Sequence, residues 1–80
     1  MKPDELALLT ELARRTKGSG HCHVRLLARE LGMNEKRAAR VCEKWTAKGW
    51  YEGGVSVLAG WLTVAGHAAA QEAGAASAKG

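Results

Sequence analysis

The chain has 80 residues, 46% hydrophobic and 25% charged, with 12 Lys or Arg against 8 Asp or Glu and a net charge of +4. That length holds one domain with a small core, burying about 60–65% of the unfolded surface. Two cysteines are too few for a disulfide framework, and the opening "MKPDELALL" has acids where a secretory signal needs a basic region, so a reducing cytoplasm is the expected setting. Residues 53–71 carry no Asp, Glu, Lys or Arg, but their four Gly and their Ser, Thr, His and Gln argue against a membrane span. With no Phe, the large core groups are Leu, Val and three Trp, at 45, 50 and 61.

Charge is unevenly placed. Residues 14–48 hold ten Lys or Arg and three acids, a net of +7. The other residues hold two Lys and five acids, a net of −3. A concentrated basic segment implies an anionic partner, nucleic acid first, against the alternative of an ordinary solvated surface.

In chain order, "PDELALLTELARRTKG" predicts a helix. Asp4 is the expected cap, acids sit near its N-terminus, and Arg14, Arg15 and Lys17 sit near its C-terminus. Leu6, Leu9 and Ala13, with Leu8 and Leu12 beside them, form its apolar face. "GSG" at 18–20 ends it. "HCHV" follows as a short strand candidate. On a strand, His21 and His23 point to one side and Cys22 to the other, so the triplet does not converge on one ion. No CxxC or HxxxH spacing exists, and neither a metal nor another cofactor is predicted.

"RLLARELG" predicts a short helix with Leu26, Leu27 and Leu31 apolar and Gly32 as its stop. A longer helix then runs from an Asn34 cap to about Lys48, with Gly49 as its stop. Ala38, Val41, Cys42 and Trp45 give it a core face. Lys36, Arg40, Lys44 and Lys48, spaced by four, with Arg37 beside them, form a basic stripe about 120° round the helix. Like charges at that spacing cost a few tenths of a kcal/mol per pair, which an external anion would offset. "WYE", a Gly-rich turn and "WLT" predict a β-hairpin of open register. "TVAGHAAAQEA" predicts a short helix capped by Thr63. The domain spans 1–73, and 74–80 is a flexible tail.

The expected class is α+β, mainly α. The order of elements, with "LARELGMNEKRAARVCEKWTAKGW", resembles the winged helix-turn-helix family of bacterial DNA-binding domains. "LARELGMN" resembles its first helix and turn, on Leu27, Ala28, Leu31 and Gly32. "NEKRAARVCEKWTAKGW" resembles its recognition helix, with Ala38, Val41, Trp45 and Gly49 on the packing face. "WLTVAG" resembles the Leu-Thr-x-x-Gly signature that closes the wing, on Leu62, Thr63 and Gly66. The resemblance spans roughly residues 4–73. It implies a three-helix core with a short strand, a β-hairpin wing and a short C-terminal helix. It also implies double-stranded DNA as partner, read by a helix over 34–48. Glu35, Lys36, Arg37 and Arg40 would lie at the groove, Glu35 rather for the helix dipole; Lys44, Lys48, Arg25 and Arg29 would meet phosphates, and Asn34 is a further DNA-binding candidate. Proteins of this kind are small transcriptional regulators or accessory proteins of bacteria and phages.

The hairpin departs from that pattern, since related wings often carry Arg or Lys. Its uncharged residues Val55, Val57, Leu58 and Trp61 suit a protein interface instead. The alternative reading is therefore a winged-helix adaptor or inhibitor that binds protein through 53–62. Self-association through the hairpin or last helix is a third partner option. No catalytic set is present: no Ser/His/Asp or Cys/His arrangement has support, and no Gly-rich phosphate loop follows a strand.

Overall fold

The computed structural model describes residues 1–17, 20–56 and 58–79, with backbone alone at residue 55 and residues 76–79. Within them the chain forms α1 (Pro3–Arg15), β1 (Cys22–His23), α2 (Val24–Glu30), α3 (Glu35–Ala47), β2 (Tyr51–Ser56), β3 (Ala59–Leu62) and α4 (Val64–Lys79). The strands make one antiparallel sheet in the order β1-β3-β2. The class is α+β and mainly helical, as the sequence predicts.

Two glycines shape the helical layout. Gly32 and Gly49 follow α2 and α3 with φ of 72° and 79°. Residues with a Cβ rarely hold that conformation. In each case the next N–H folds back onto the ending helix, Met33 to Ala28 O and Trp50 to Trp45 O, both at 2.8 Å. The first of these turns also drops Met33 into the core. At the other end of α3, Asn34 Oδ1 accepts the Lys36 N–H at 2.8 Å, as a cap should. α1 begins earlier than expected. Pro3 suits a first helical position. Lys2 is therefore the cap residue, and its N–H donates to Glu5 Oε2 at 3.2 Å. Asp4 lies inside the first turn rather than capping it.

The core joins Leu8, Leu9 and Leu12 of α1 to Val24, Leu27 and Ala28 of α2. Ala38, Val41, Cys42 and Trp45 of α3 complete it, with Tyr51, Leu62 and Ala70. On α1 the buried stripe is turned by one position from the expected one, and Leu6 and Ala13 sit half-buried at its rim. On α2 only one face packs, so Leu26 and Leu31 are 55% and 38% exposed.

The hairpin pairs Tyr51 with Leu62, Glu52 with Trp61 and Gly53 with Gly60, then shifts register before Ser56 meets Ala59. Cys22 of β1 also pairs with Gly60. A Cβ at Gly60 would collide with the Glu52 carbonyl and the Tyr51 hydroxyl, so glycine allows Tyr51 to lie under the sheet. Thr63 then starts α4: its Oγ1 accepts the Gly66 N–H at 3.1 Å. α4 packs on α1 and β3 and continues to Lys79, six residues past the expected boundary at 73. Its many alanines, the strongest helix formers, carry it through Gly74. Among the described residues, no helix is long and apolar enough to cross a membrane.

Gly66 approaches the Trp50 carbonyl so closely that a Cβ there would collide with it, whereas Gly74 has open space around it. Gly66→Ala is expected to lower stability by about 3 kcal/mol through forced backbone displacement. Gly74→Ala is expected to raise it by up to about 1 kcal/mol through helix propensity. Urea denaturation of the two variants checks both signs.

Candidate nucleic-acid interface

An α-helix turns about 100° per residue, which distributes the five cations of α3 and its C-terminal turn unequally. Lys36 and Arg40 lie about 40° apart on the side opposite the core, and both are exposed. Among the described residues neither forms an ion pair. Glu43 and Ala47 share this outer ridge. Arg37 and Lys44 lie about 80–100° round from Lys36, towards the start of α1.

There they meet acids. Arg37 grips Asp4 with two donors, Nε to Oδ2 at 2.5 Å and Nη2 to Oδ1 at 3.0 Å. It also lies 3.6 Å from Glu5 Oε2. Lys44 Nζ donates to the Glu5 carboxylate, which is only 5% exposed. The remaining predicted contacts divide similarly. Arg25 pairs with Glu35 at 2.8 Å. Arg29, at the end of α2, is exposed and forms no ion pair among the described residues. Lys48 Nζ stands 4.6 Å above the Trp50 ring, a cation–π geometry that leaves it at the surface. Asn34 is occupied by its capping role. The predicted DNA-binding cations of α3 are thus split: Lys36 and Arg40 together on the open ridge, Arg37 and Lys44 on the flank that faces α1.

The hairpin lies beside the start of α3. Asn34, Glu35, Lys36, Ala39 and Leu58 line a cleft of about 540 Å³ between them. Leu58 is half-buried against the core, and its carbonyl accepts the Val24 N–H at 2.8 Å. Trp61 is half-buried, with the His21 ring edge-on at 4.9 Å. Val57 lies outside the described residues, and the Val55 side chain does too. Of the four residues predicted for a protein interface, the two whose side chains are described are partly occupied by the fold itself.

The two thiols point inward. Cys22 and Cys42 are buried, while His21 and His23 are exposed on the opposite face of the strand. Burial pushes Cys42 up to about 12, and its hydrogen bond with Tyr51 only partly opposes this. Burial likewise raises Tyr51. A thiol held protonated is a poor nucleophile, so Cys42 behaves as a small core residue.

Asp4 and Glu5 are partners of Arg37 and Lys44 that the sequence pattern does not reveal. Their position at a helix start suggests a cap at Asp4 and a favourable dipole position for both. The available signal was their place in the acidic remainder of a chain whose basic segment needs counter-charges. No protein-family model, curated protein or solved structure matches this chain.

The ion network makes stability acid-sensitive. The Arg37 hydrogen bond, against a smaller desolvation cost, draws the Asp4 carboxyl from its usual 3.8 down to about 2. The Lys44 hydrogen bond lowers Glu5 below 4.5, and Arg14 and Arg15 lower Glu11. Each group binds its proton less tightly folded than unfolded. Their contribution is therefore complete above the unfolded values and is lost as pH falls from about 4.5 towards 2. Urea midpoints measured between pH 6 and pH 2 are expected to fall across that window. Asp4→Asn is expected to flatten its lower part.

Proposed function

We propose that this chain is a winged-helix protein that binds double-stranded DNA. In this reading α2 and α3 form the helix-turn-helix and the β2–β3 hairpin is the wing. The observation that carries it is the pair Lys36 and Arg40, adjacent on the exposed ridge of α3 and in no ion pair among the described residues, although Glu43 shares the ridge. An α-helix fits the major groove, and Lys and Arg donors match guanine O6 and N7. Lys48, further along the helix, and Arg29, on α2, are placed to meet phosphates. The hairpin adds no cation, so its contribution is backbone N–H groups and Ser56. The chain acts by occupying a site in the cytoplasm, as a small regulator or mobile-element accessory protein, and not by catalysis.

Four phosphate or base contacts give log K a slope against log salt of roughly −3 to −4. Lys36→Ala and Arg40→Ala are each expected to flatten it by about 1 while the circular dichroism spectrum stays unchanged. Failure of the unaltered protein to bind random duplex DNA at low salt removes this reading.

One observation favours the protein-binding alternative. Leu26, 55% exposed, lines a cleft of about 290 Å³ with Leu58, His23, Arg25, Ser56 and Ala59. On that reading Leu26→Asp abolishes capture of a protein partner while Lys36→Ala does not. Leu26 is a cleaner probe than Leu58, which also packs on the core.

A further inference from the structure

Two cations of α3 are held by residues far away in the chain. Asp4 and Arg37 are 33 positions apart, and Glu5 and Lys44 are 39 apart. Asp4 offers Arg37 two oxygens in the planar, two-bond arrangement that a phosphate also offers a guanidinium. The carboxylates are well seated for this. Both lie in the first turn of α1, where the helix dipole favours negative charge. The Glu5 carboxylate also accepts the Lys2 N–H. Yet the cations are not sealed in: the Arg37 side chain is 36% exposed and that of Lys44 is 49% exposed. A phosphate can reach both without the core opening.

We infer that Asp4 and Glu5 are intramolecular competitors of the DNA backbone. By holding Arg37 and Lys44 against α1, they confine the cationic surface to the Lys36–Arg40 ridge and set the affinity and salt dependence of binding. This rests on the DNA-binding reading above. A phosphate that approaches the flank of α3 meets two carboxylates beside the two cations. A new bond from Arg37 to phosphate is offset by the lost bond to Asp4. Drawing Lys44 away would leave the buried Glu5 charge without its closest partner, which is more costly still. The acids therefore act as affinity-setting residues without touching DNA.

A double-mutant cycle tests this, with a random-sequence duplex titrated against the unaltered protein, Asp4→Asn, Arg37→Ala and the double variant across a salt series. Asp4 is only partly buried, and Asp4→Asn preserves its shape. Asp4→Asn is expected to tighten binding roughly threefold to tenfold at low salt. It is expected to steepen the slope by about 0.9, the value for one added phosphate contact. Arg37→Ala is expected to change the affinity of the unaltered protein less than twofold, yet to cancel the whole gain in the Asp4→Asn background. The inference is overturned if Asp4→Asn leaves affinity and slope unchanged. It is also overturned if Arg37→Ala weakens both backgrounds equally, since a purely structural ion pair produces no such coupling. Absence of duplex binding by all four proteins is a different result: it removes the DNA-binding reading itself, and this inference with it.

Discussion

The architecture depends on the junction around Thr63. Its Oγ1 donates to the Gly49 carbonyl at 2.5 Å and accepts the Gly66 N–H at 3.1 Å. Its own N–H donates to the Trp50 carbonyl at 2.9 Å, and its carbonyl accepts the His67 N–H. One residue thus ties together the end of α3, the start of β2 and the first turn of α4. These backbone groups lie at element ends, where regular ladders cannot satisfy them. Gly66 completes the junction by letting α4 press against the Trp50 carbonyl. Thr16 makes a second, smaller tie: its Oγ1 donates to the Leu12 carbonyl and accepts the Leu62 N–H, which joins α1 to β3. The hairpin is held between these two threonines, and this fixes its place beside α3.

Charge follows the same logic of distant partners. Along the chain, residues 14–48 carry a net of +7, yet the folded surface does not present it intact. Asp4 and Glu5 take Arg37 and Lys44, Glu35 takes Arg25, and Glu11 and Glu30 take Arg15. Most of these pairs are half-exposed and screened by water, so they are worth little in stability. Their larger effect is on which cations remain open to an external anion. The like-charge repulsion expected along α3 is relieved within the protein as well as by any partner.

Local signals foretold much of the fold. Asn34, Gly32 and Gly49 mark helix ends through chemistry that belongs to single residues, and the face Ala38, Val41, Cys42 and Trp45 follows from periodicity alone. Features that depend on contact between elements were not legible. Tyr51 looked like a hairpin aromatic, but the absent side chain of Gly60 lets it pass under the sheet to Cys42. Met33 looked like a linker residue, but the turn at Gly32 returns it to the core. Leu26 and Leu31 follow an apolar pattern, yet seven residues of α2 can bury only one narrow face. The candidate site shows the same division. Lys36 and Arg40 were legible as exposed cations because helix geometry alone turns them away from the core. The occupation of Arg37 and Lys44 was not, because their partners lie at the opposite end of the chain's first helix.

Packing excludes a charge at several positions of the uncharged stretch 53–71, although Ser56, Val64, Ala65 and Ala68 are exposed. Gly60 faces the Glu52 carbonyl and the Tyr51 hydroxyl, and Gly66 faces the Trp50 carbonyl, so neither site accommodates a side chain. Leu62 and Ala70 are buried. Leu58 rests on the core while its carbonyl holds the first N–H of α2, so an ion there would lose its water without gaining a partner. Gly54 is crowded by the Ala59 carbonyl and the Trp61 ring. At these positions charge is missing because the hairpin and α4 pack against the rest of the fold. The hairpin lies beside the start of α3, where Leu58 and residues of the helix line one cleft.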